Sequence, residues 1–256
     1  MRLAAIGATD VGRKRTHNED AFLVLQEEHL YCVADGMGGH QSGEVASRIA
    51  VEEMAEFFRL TGRDEEATWP FREDRSRSYD ENRLAVAMRL ANLRIHERAR
   101  SDERLAGMGT TLVCAHVPRG GRLLVGNVGD SRAYLFRRGE LRQLTEDHSL
   151  LADYIRQSNP SAAEIEAFPH KNVIVRALGM RETVEVDLVQ EPAREGDVLL
   201  LCCDGLSGML SDAAIADLLR QSRGDLRRAN QALIDAANQA GGGDNITSLL
   251  VQVLAS

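Results

Sequence analysis

The segment YCVADGMGG at residues 31–39 carries the pattern that decides the fold: a short apolar run, then an aspartate, then glycines. Such a run, closed by a charged residue and glycine, is typical of a β-strand. A strand end holds a side chain rigidly, and glycine lets the backbone approach a ligand closely. Asp35 is therefore a candidate functional residue, although a single Asp-Gly pair is more often only a turn.

The same pattern recurs along the chain, where acidic residues adjoin four other apolar strands. The segments are HNEDAF (17–22), LLVGNVGDSR (123–132), LLLCCDGLS (199–207) and GGGDNITSLLV (241–251). They contribute Glu19, Asp20, Asp130, Asp204 and Asp244. If these acids converge in a partly buried site, their repulsion is costly and bound divalent cations relieve it. Carboxylate, carbonyl and water ligands suit Mg²⁺ or Mn²⁺ rather than zinc or copper.

The order of the remaining elements predicts an α+β fold. Apolar runs predict strands at 3–8, 21–25, 29–34, 110–117, 122–128, 132–138, 140–143, 172–176, 183–189, 197–203 and 246–254. Helical periodicity and capping residues predict helices at 42–60, 80–103, 211–221 and 225–240, with a polar helical stretch at 148–168. Residues 61–80 predict a surface loop, which Trp69 and Phe71 are expected to anchor. Strands in hairpin groups and helices in pairs indicate antiparallel sheets flanked by helices rather than a parallel sheet.

The composition of the chain argues against several classes of function. The chain has 256 residues, 43% of them hydrophobic, and a net charge of −8. An acidic chain is not expected to be a general binder of nucleic acid or of anionic membranes, and no run of about 18 apolar residues predicts a membrane span. The four cysteines lie in apolar runs without a C-x-x-C pair, which predicts reduced core residues rather than zinc ligands. We expect one domain over residues 1–256, in the cytoplasm.

Eight motifs, in order, carry a family resemblance. They are RTHNEDA (15–21), ADGMGGHQSGEVAS (34–47), GMGTTL (107–112), GNVGDSRAY (126–134), TEDHS (145–149), RALG (176–179), CDGLS (203–207) and GGGDNIT (241–247). Together they resemble the PPM family, the metal-dependent serine/threonine protein phosphatases of the type 2C class, in its bacterial form. The resemblance runs from Gly7 to about Val253. It implies a sandwich of two antiparallel β-sheets with helix pairs on both outer faces, four layers in all.

The resemblance also implies roles for individual residues. Asp35 would bridge two metal ions and Gly36 would offer its backbone carbonyl. The other implied metal-site residues are Asp204 and Asp244 for one core ion, Asp130 with Asp204 for a third, weaker ion, and Glu19 with Asp20 for metal-bound water. Arg15 would bind the substrate phosphate, although from sequence alone it could equally be a surface arginine paired with Glu19.

The implied reaction is hydrolysis of phosphoserine and phosphothreonine by direct attack of a metal-bridging hydroxide, with Mn²⁺ or Mg²⁺ as cofactor. The implied partners are phosphorylated proteins, including a cognate serine/threonine kinase whose signalling the enzyme would reverse. A monomer is expected. The chain departs from animal members at Met37, where they carry a histidine proposed as general acid. His40, three residues on, is the candidate for that role here, and a metal-bound water is the alternative.

Three other functions remain open at this stage. A pseudophosphatase that only binds phosphoproteins would be expected to lack one or more metal-binding aspartates, and none is missing here. A hydrolase of small phosphorylated metabolites would use the same metal site. A kinase-directed regulator of stress sigma factors belongs to a related branch of the fold, but the complete acidic set with Arg15 favours the phosphatase branch.

Overall fold

The computed structural model describes residues 2–38, 42–64, 68–118, 120–171 and 173–255. Within these ranges the strands are β1 (Arg2–Asp10), β2 (Asp20–Leu25), β3 (Leu30–Met37), β4 (Gly109–Thr110), β5 (Leu112–His116), β6 (Arg122–Val128), β7 (Arg132–Arg137), β8 (Glu140–Gln143), β9 (Asp187–Pro192), β10 (Val198–Cys202) and β11 (Ile246–Leu254). The helices are α1 (Ser42–Arg63), α2 (Tyr79–Ser101), α3 (Leu150–Ser158), α4 (Ala162–Ala167), α5 (Asp204–Ser207), α6 (Asp212–Gln221) and α7 (Leu226–Gln239).

Two antiparallel sheets form the centre of the molecule. One has the order β1-β11-β10-β7-β8, and the other has the order β2-β3-β5-β6-β9, with β4 paired to β3. Alternate residues of their strands point into a shared apolar layer, where Tyr31 and Val33 of one sheet meet Leu199, Leu201 and Leu249 of the other. Successive side chains of a strand point to opposite faces of its sheet. Because each sheet has another layer packed on both faces, its strands appear in the sequence as apolar runs.

Helix pairs cover the outer faces of both sheets. Helices α1 and α2 bury Met54, Phe58 and Met88 against the second sheet, and α6 and α7 bury Ile215 and Leu233 against the first. A capping box starts α2, because the Ser78 and Glu81 side chains each accept a hydrogen bond from the backbone N–H of the other residue. The four predicted layers, and the α+β class, are confirmed.

Two predicted strands were placed wrongly. The strand expected at 183–189 is β9, which starts only at Asp187, because its partner β6 ends at Val128 and pairs Asn127 with Asp187. Val128, the last residue of β6, comes opposite residue 186 in this register, so residues before 186 have no β6 residue opposite them. The strand expected at 172–176 has, in the part that is described, a single bridge between Ile174 and Ser149. Residue 172 itself lies outside the described residues.

The segment between α1 and α2 is held as the sequence predicted. Trp69 and Phe71 pack on the core beside α1 and α2, and the Trp69 ring contacts Phe57 edge-on at 5.9 Å between centroids. The four cysteines are buried and unpaired, also as predicted. No helix in the described ranges has the length and apolar character needed to cross a bilayer.

Candidate active site

Strand register brings the first two acids together. Asp20 begins β2 and lies directly opposite Asp35 on β3. The Asp35 backbone is fixed by β4 and its surroundings: its carbonyl accepts from the Thr111 N–H at 2.9 Å and from the Thr110 hydroxyl at 2.9 Å, and its N–H donates to Thr111 Oγ1 at 3.1 Å. A carboxylate oxygen of each aspartate and the Cys203 sulfur lie within 4.8 Å of one another.

Glycines allow the segments around Asp35 to approach closely. A Cβ on Gly36 would lie 2.1 Å from the Gly43 carbonyl oxygen and 2.5 Å from the Glu19 carbonyl oxygen. A Cβ on Gly43 would lie 2.8 Å from a Glu19 carboxylate oxygen. Since no side chain larger than hydrogen fits between these atoms, the start of α1 and the Glu19 backbone are set against the end of β3.

The other sheet supplies Asp204 and Asp244. Asp204 follows β10 and opens the one-turn helix α5, which sequence analysis did not predict, and Asp244 precedes β11. The two segments touch, because a Cβ on Gly205 would lie 1.9 Å from the Asn245 carbonyl oxygen. β10 and β11 are adjacent antiparallel strands, so the end of one and the start of the other meet at the same edge.

Asn245 hydrogen-bonds this end of the sheet to the segment around the RTHNEDA motif (15–21), a role that sequence analysis did not assign. Its amide donates to the carbonyls of Val11 at 3.0 Å and His17 at 2.9 Å. Its side-chain oxygen accepts from the Glu19 N–H at 2.8 Å. One buried side chain therefore positions both Asp244, its neighbour in sequence, and Glu19. Its place in the GGGDNIT motif was the signal that could have indicated this.

Asp130 lies in the turn between β6 and β7 and is 8% exposed. His148, to which sequence analysis gave no catalytic role, supports that turn: its Nδ1 accepts from the Gly129 N–H at 3.0 Å, and its Nε2 lies 3.1 Å from Asp187 Oδ2. The His148 ring therefore fixes the backbone immediately before Asp130 and links it to β9.

The five aspartates are close enough to perturb one another. Burial raises the pKa of Asp35 well above its ordinary range, and Asp20, Asp204, Asp130 and Asp244 raise it further. Burial raises the pKa of Asp20 to about 7 despite a hydrogen bond from Thr247, and burial followed by the Asp204 charge raises the pKa of Asp130 to about 7. Without a cation, the fold therefore opposes full ionisation of this cluster.

Two observations show that these residues fit a hard divalent cation. Asp20 Oδ1 and Asp130 Oδ1 are buried and have no hydrogen-bond partner among the described residues, although the Thr247 hydroxyl donates to Asp20 Oδ2 at 2.6 Å. The donor set is also dominated by carboxylates, which is the chemistry that Mg²⁺ and Mn²⁺ prefer. Buried acceptor oxygens without donors are the expected appearance of metal-facing ligands.

Arg15 lies at the rim of the cluster. Its Nη2 donates to Asp244 Oδ2 at 2.8 Å, and the side chains are 52% and 37% exposed. That hydrogen bond and the Asp244 charge raise the pKa of Arg15. Its partner is thus Asp244 rather than Glu19, the partner considered from sequence. His40, the predicted general acid, lies outside the described residues, while Met37 ends β3 two residues after Asp35.

A family model described as "Protein phosphatase 2C" matches residues 9–240. The chain belongs to this family. It is 39% identical over 251 residues to a serine/threonine phosphatase, stp, of Listeria welshimeri, covering 95% of this chain and 93% of that protein.

Solved structures agree with the sequence match. The serine/threonine phosphatase PstP/Ppp of Mycobacterium tuberculosis superposes with a TM-score of 0.86 at 32% identity, covering 100% of both chains. The catalytic domain of a serine/threonine protein phosphatase PstP, solved with two manganese ions, has a TM-score of 0.81 at 33% identity and covers 99% of each chain. The chain described here is thus a metal-dependent phosphatase of the 2C type.

Proposed function

We propose that this chain is a single catalytic domain, residues 1–256, that hydrolyses phosphoserine and phosphothreonine in proteins and so reverses serine/threonine kinase signalling. The observation that carries the proposal is the convergence of five aspartates from both sheets, two of them with buried and unpartnered oxygens. The relatives named as serine/threonine phosphatases support the substrate class. Protein substrates, including a cognate kinase, are the proposed partners.

We assign the site residues from this arrangement. Asp35 would hold both core ions and Gly36 would offer its backbone carbonyl as a further ligand. Asp204 and Asp244 would complete one core ion, and Asp130 with Asp204 would hold a weaker third. Glu19 and Asp20 would orient water. When bound, Mn²⁺ or Mg²⁺ supplies neutralisation of phosphate charge and activation of water as a nucleophile near neutral pH. The Thr247 hydroxyl fixes one carboxylate oxygen of Asp20, and the other has no hydrogen-bond partner among the described residues, which suits a role toward the site.

The chain's own groups handle the substrate. Arg15 is exposed enough to exchange its Asp244 contact for the substrate phosphate, which a guanidinium binds through two parallel hydrogen bonds. Its positive charge stabilises the charge that the phosphate oxygens carry during transfer. We retain His40 as the proposed donor of the proton to the leaving hydroxyl.

The deciding experiment measures hydrolysis of a phosphothreonine peptide and of p-nitrophenyl phosphate with added Mn²⁺. We expect turnover that EDTA abolishes and that Asp204→Asn lowers by at least about 100-fold, since charge stabilisation is usually the largest catalytic contribution. The exposed Asp235→Asn on α7 is the matched control and should retain full activity. Activity that survives EDTA would exclude the metal mechanism, and tight phosphopeptide binding without turnover would indicate a pseudophosphatase.

A second comparison separates protein substrates from small ones. A protein phosphatase should turn over phosphothreonine peptides with a higher kcat/KM than free phosphoserine, because residues flanking the phosphate add binding energy. Equal values for the two substrates would favour a hydrolase of small phosphorylated metabolites.

A further inference from the structure

A cleft lies at the end of the sandwich opposite the aspartate cluster. It is lined by residues that include Glu27, Glu28, His29, Asp80, Arg83 and His116, and its volume is about 400 Å³. We call it the distal cleft. The volume lies within the roughly 300–1,000 Å³ that small-molecule sites occupy.

Strand register sets the distance between the two sites. β2 and β3 pair Asp20 with Asp35 at one end and Leu25 with Leu30 at the other. His116 is paired with Leu30, so it belongs to the distal end. Five residues of strand separate these ends, which is about 16 Å. The distal cleft is therefore separate from the metal site.

The distal cleft contains a buried acceptor without a donor. The His116 side chain is 4% exposed. Its Nδ1 lies 3.3 Å from the His29 carbonyl oxygen, which can only accept, so the N–H of Nδ1 donates to that oxygen and Nε2 is the acceptor of this tautomer. Among the described residues Nε2 has no hydrogen-bond partner. The ring cannot easily turn away, because it packs edge-on against Phe58 at 5.0 Å.

A second acceptor faces the first one. Asp80 Oδ1 lies 3.8 Å from His116 Nε2, which is too long for a hydrogen bond. The Asp80 side chain is 36% exposed, so a ligand can reach it from solvent. Two acceptors side by side, one of them buried and one charged, are complementary to a group that offers several N–H donors and a positive charge.

The other charges of the cleft favour the same kind of ligand. Two of the three Arg83 guanidinium nitrogens donate inside the protein, Nε to Thr61 Oγ1 at 2.7 Å and Nη2 to Glu28 Oε2 at 2.9 Å. Its guanidinium also lies over the Phe58 ring at 4.2 Å. Three carboxylates, those of Glu27, Glu28 and Asp80, therefore face one arginine in the described lining. Glu27 lies 3.6 Å from Arg59 Nε and Glu28 pairs with Arg83, which leaves the Asp80 carboxylate for a ligand.

From this geometry we propose that the distal cleft binds a guanidinium group, which donates N–H bonds to His116 Nε2 and to the Asp80 carboxylate. A guanidinium is planar, weakly hydrated and rich in donors, so it suits a narrow site with two adjacent acceptors. Two sources offer this group: a free alkylguanidinium compound and an arginine side chain of another protein. Both sources present the same chemistry to the cleft.

The test is an NMR titration of the protein loaded with diamagnetic Mg²⁺, followed at the His116 ring signal, which is assigned by its loss in His116→Phe. The probes are butylguanidinium, N-acetyl-arginine-N-methylamide and the neutral isostere butylurea. We expect saturable binding of at least one guanidinium probe and at least tenfold weaker binding of butylurea. A free-compound site prefers butylguanidinium, and a side-chain site accepts the arginine derivative as well. No saturable shift with either, or equal binding of butylurea, overturns the proposal.

Asp80→Asn is the diagnostic variant, because it removes the carboxylate charge and one acceptor oxygen while keeping the shape of the side chain. It should weaken guanidinium binding at least tenfold, whereas Asp212→Asn, the same change in the first turn of α6, should stay within twofold. Unchanged binding in Asp80→Asn overturns the proposal. None of these readouts depends on phosphatase activity.

Discussion

At the residue scale, the metal-free fold opposes ionisation of the aspartates in the candidate active site. Asp20 and Asp130 have pKa values of about 7 because they are buried among like charges. In an unfolded chain the pKa of an aspartate is about 3.9. The folded, metal-free protein therefore keeps protons that the unfolded chain has already released, and this difference links stability to pH.

The sign of that linkage gives a prediction for EDTA-treated protein. A raised pKa in the folded state adds stability that is present below about pH 4 and is lost as pH rises through about 7. We expect the Tm to fall across this window, by about 2–4 °C for each kcal/mol lost in a chain of this size. Differential scanning calorimetry checks this. Asp130→Asn should reduce the slope and Asp235→Asn should not; a Tm that rises across the window would contradict the assignment.

Arg15 gives a second prediction at this scale. Arg15→Ala should lower kcat/KM for a phosphopeptide by roughly 10- to 100-fold, which corresponds to the 1.5–3 kcal/mol of a hydrogen bond to a charged group. The kcat/KM of Arg15→Lys should lie between those of the parent protein and Arg15→Ala. Lysine keeps the positive charge but lacks the planar guanidinium that makes two parallel hydrogen bonds. Steady-state kinetics and the Tm increase on adding Mn²⁺ are measured together. If Arg15→Ala abolished that Tm increase and left kcat/KM unchanged, Arg15 would serve the metal site instead.

The convergence of these aspartates was expected from sequence, because they adjoin apolar strands and glycines, and strand ends hold side chains rigidly. Their individual roles stay a proposal, and several of their contacts could not be predicted. Asn245 and His148 were assigned no role, because their hydrogen bonds reach residues 226–234 and 19–39 positions away in the chain. The partner of Arg15 is also distant in the chain: Asp244 is 229 positions away, whereas Glu19, the partner considered from sequence, is four positions away.

At the element scale, the same contrast between local and distant partners explains why the bounds of some strands were predicted correctly and the start of β9 was not. β6, β8 and β11 were predicted at their observed bounds, because hairpin turns or charged residues delimit them. β9 was predicted four residues early, because Val184 and Val186 continue an alternating apolar pattern although the partner strand β6 has ended. Apolar alternation reports burial, and a strand also requires a neighbour with free backbone groups.

The contact between β3 and α1 leads to a prediction for glycine. Gly36→Ala should destabilise the protein severely, by about 3 kcal/mol or more, because its Cβ would overlap backbone atoms of Gly43 and Glu19 that cannot move independently. Gly120→Ala is the matched control, since a Cβ there meets nothing within 4 Å. Urea unfolding measures both. Equal midpoints for the two variants would show that α1 can shift away from β3 at little cost.

At the scale of the whole molecule, the proposed metal site draws residues from both sheets, so ion binding there should stabilise the entire fold. Asp20 and Asp35 come from one sheet, and Asp204 and Asp244 from segments that flank strands of the other. A ligand present at 100 times its Kd adds about 2.7 kcal/mol to the free energy of unfolding. We therefore expect Mn²⁺ to raise the Tm by several degrees, in one cooperative transition.

In these Tm measurements, Asp204→Asn should have opposite effects in EDTA and in Mn²⁺. In EDTA it should unfold at a higher temperature than the parent protein, because one repelling charge has been removed from the cluster. In Mn²⁺ it should gain much less than the parent does. A variant that loses stability in EDTA would show that the Asp204 charge is balanced within the protein, for example by Arg15 or Arg132, both of which lower its pKa.

The position of β11 has a consequence for how the chain matures during synthesis. β11 is the last strand of the sandwich in chain order, yet it lies between β1 and β10 and pairs along its whole length with β1, from Asp10 opposite Ile246 to Arg2 opposite Leu254. Until it emerges from the ribosome, the strands on either side have open edges, and Asp244 is not yet next to Asp204. We therefore expect a nascent chain that lacks β11 to be inactive, and activity to begin only when the whole sandwich has been translated.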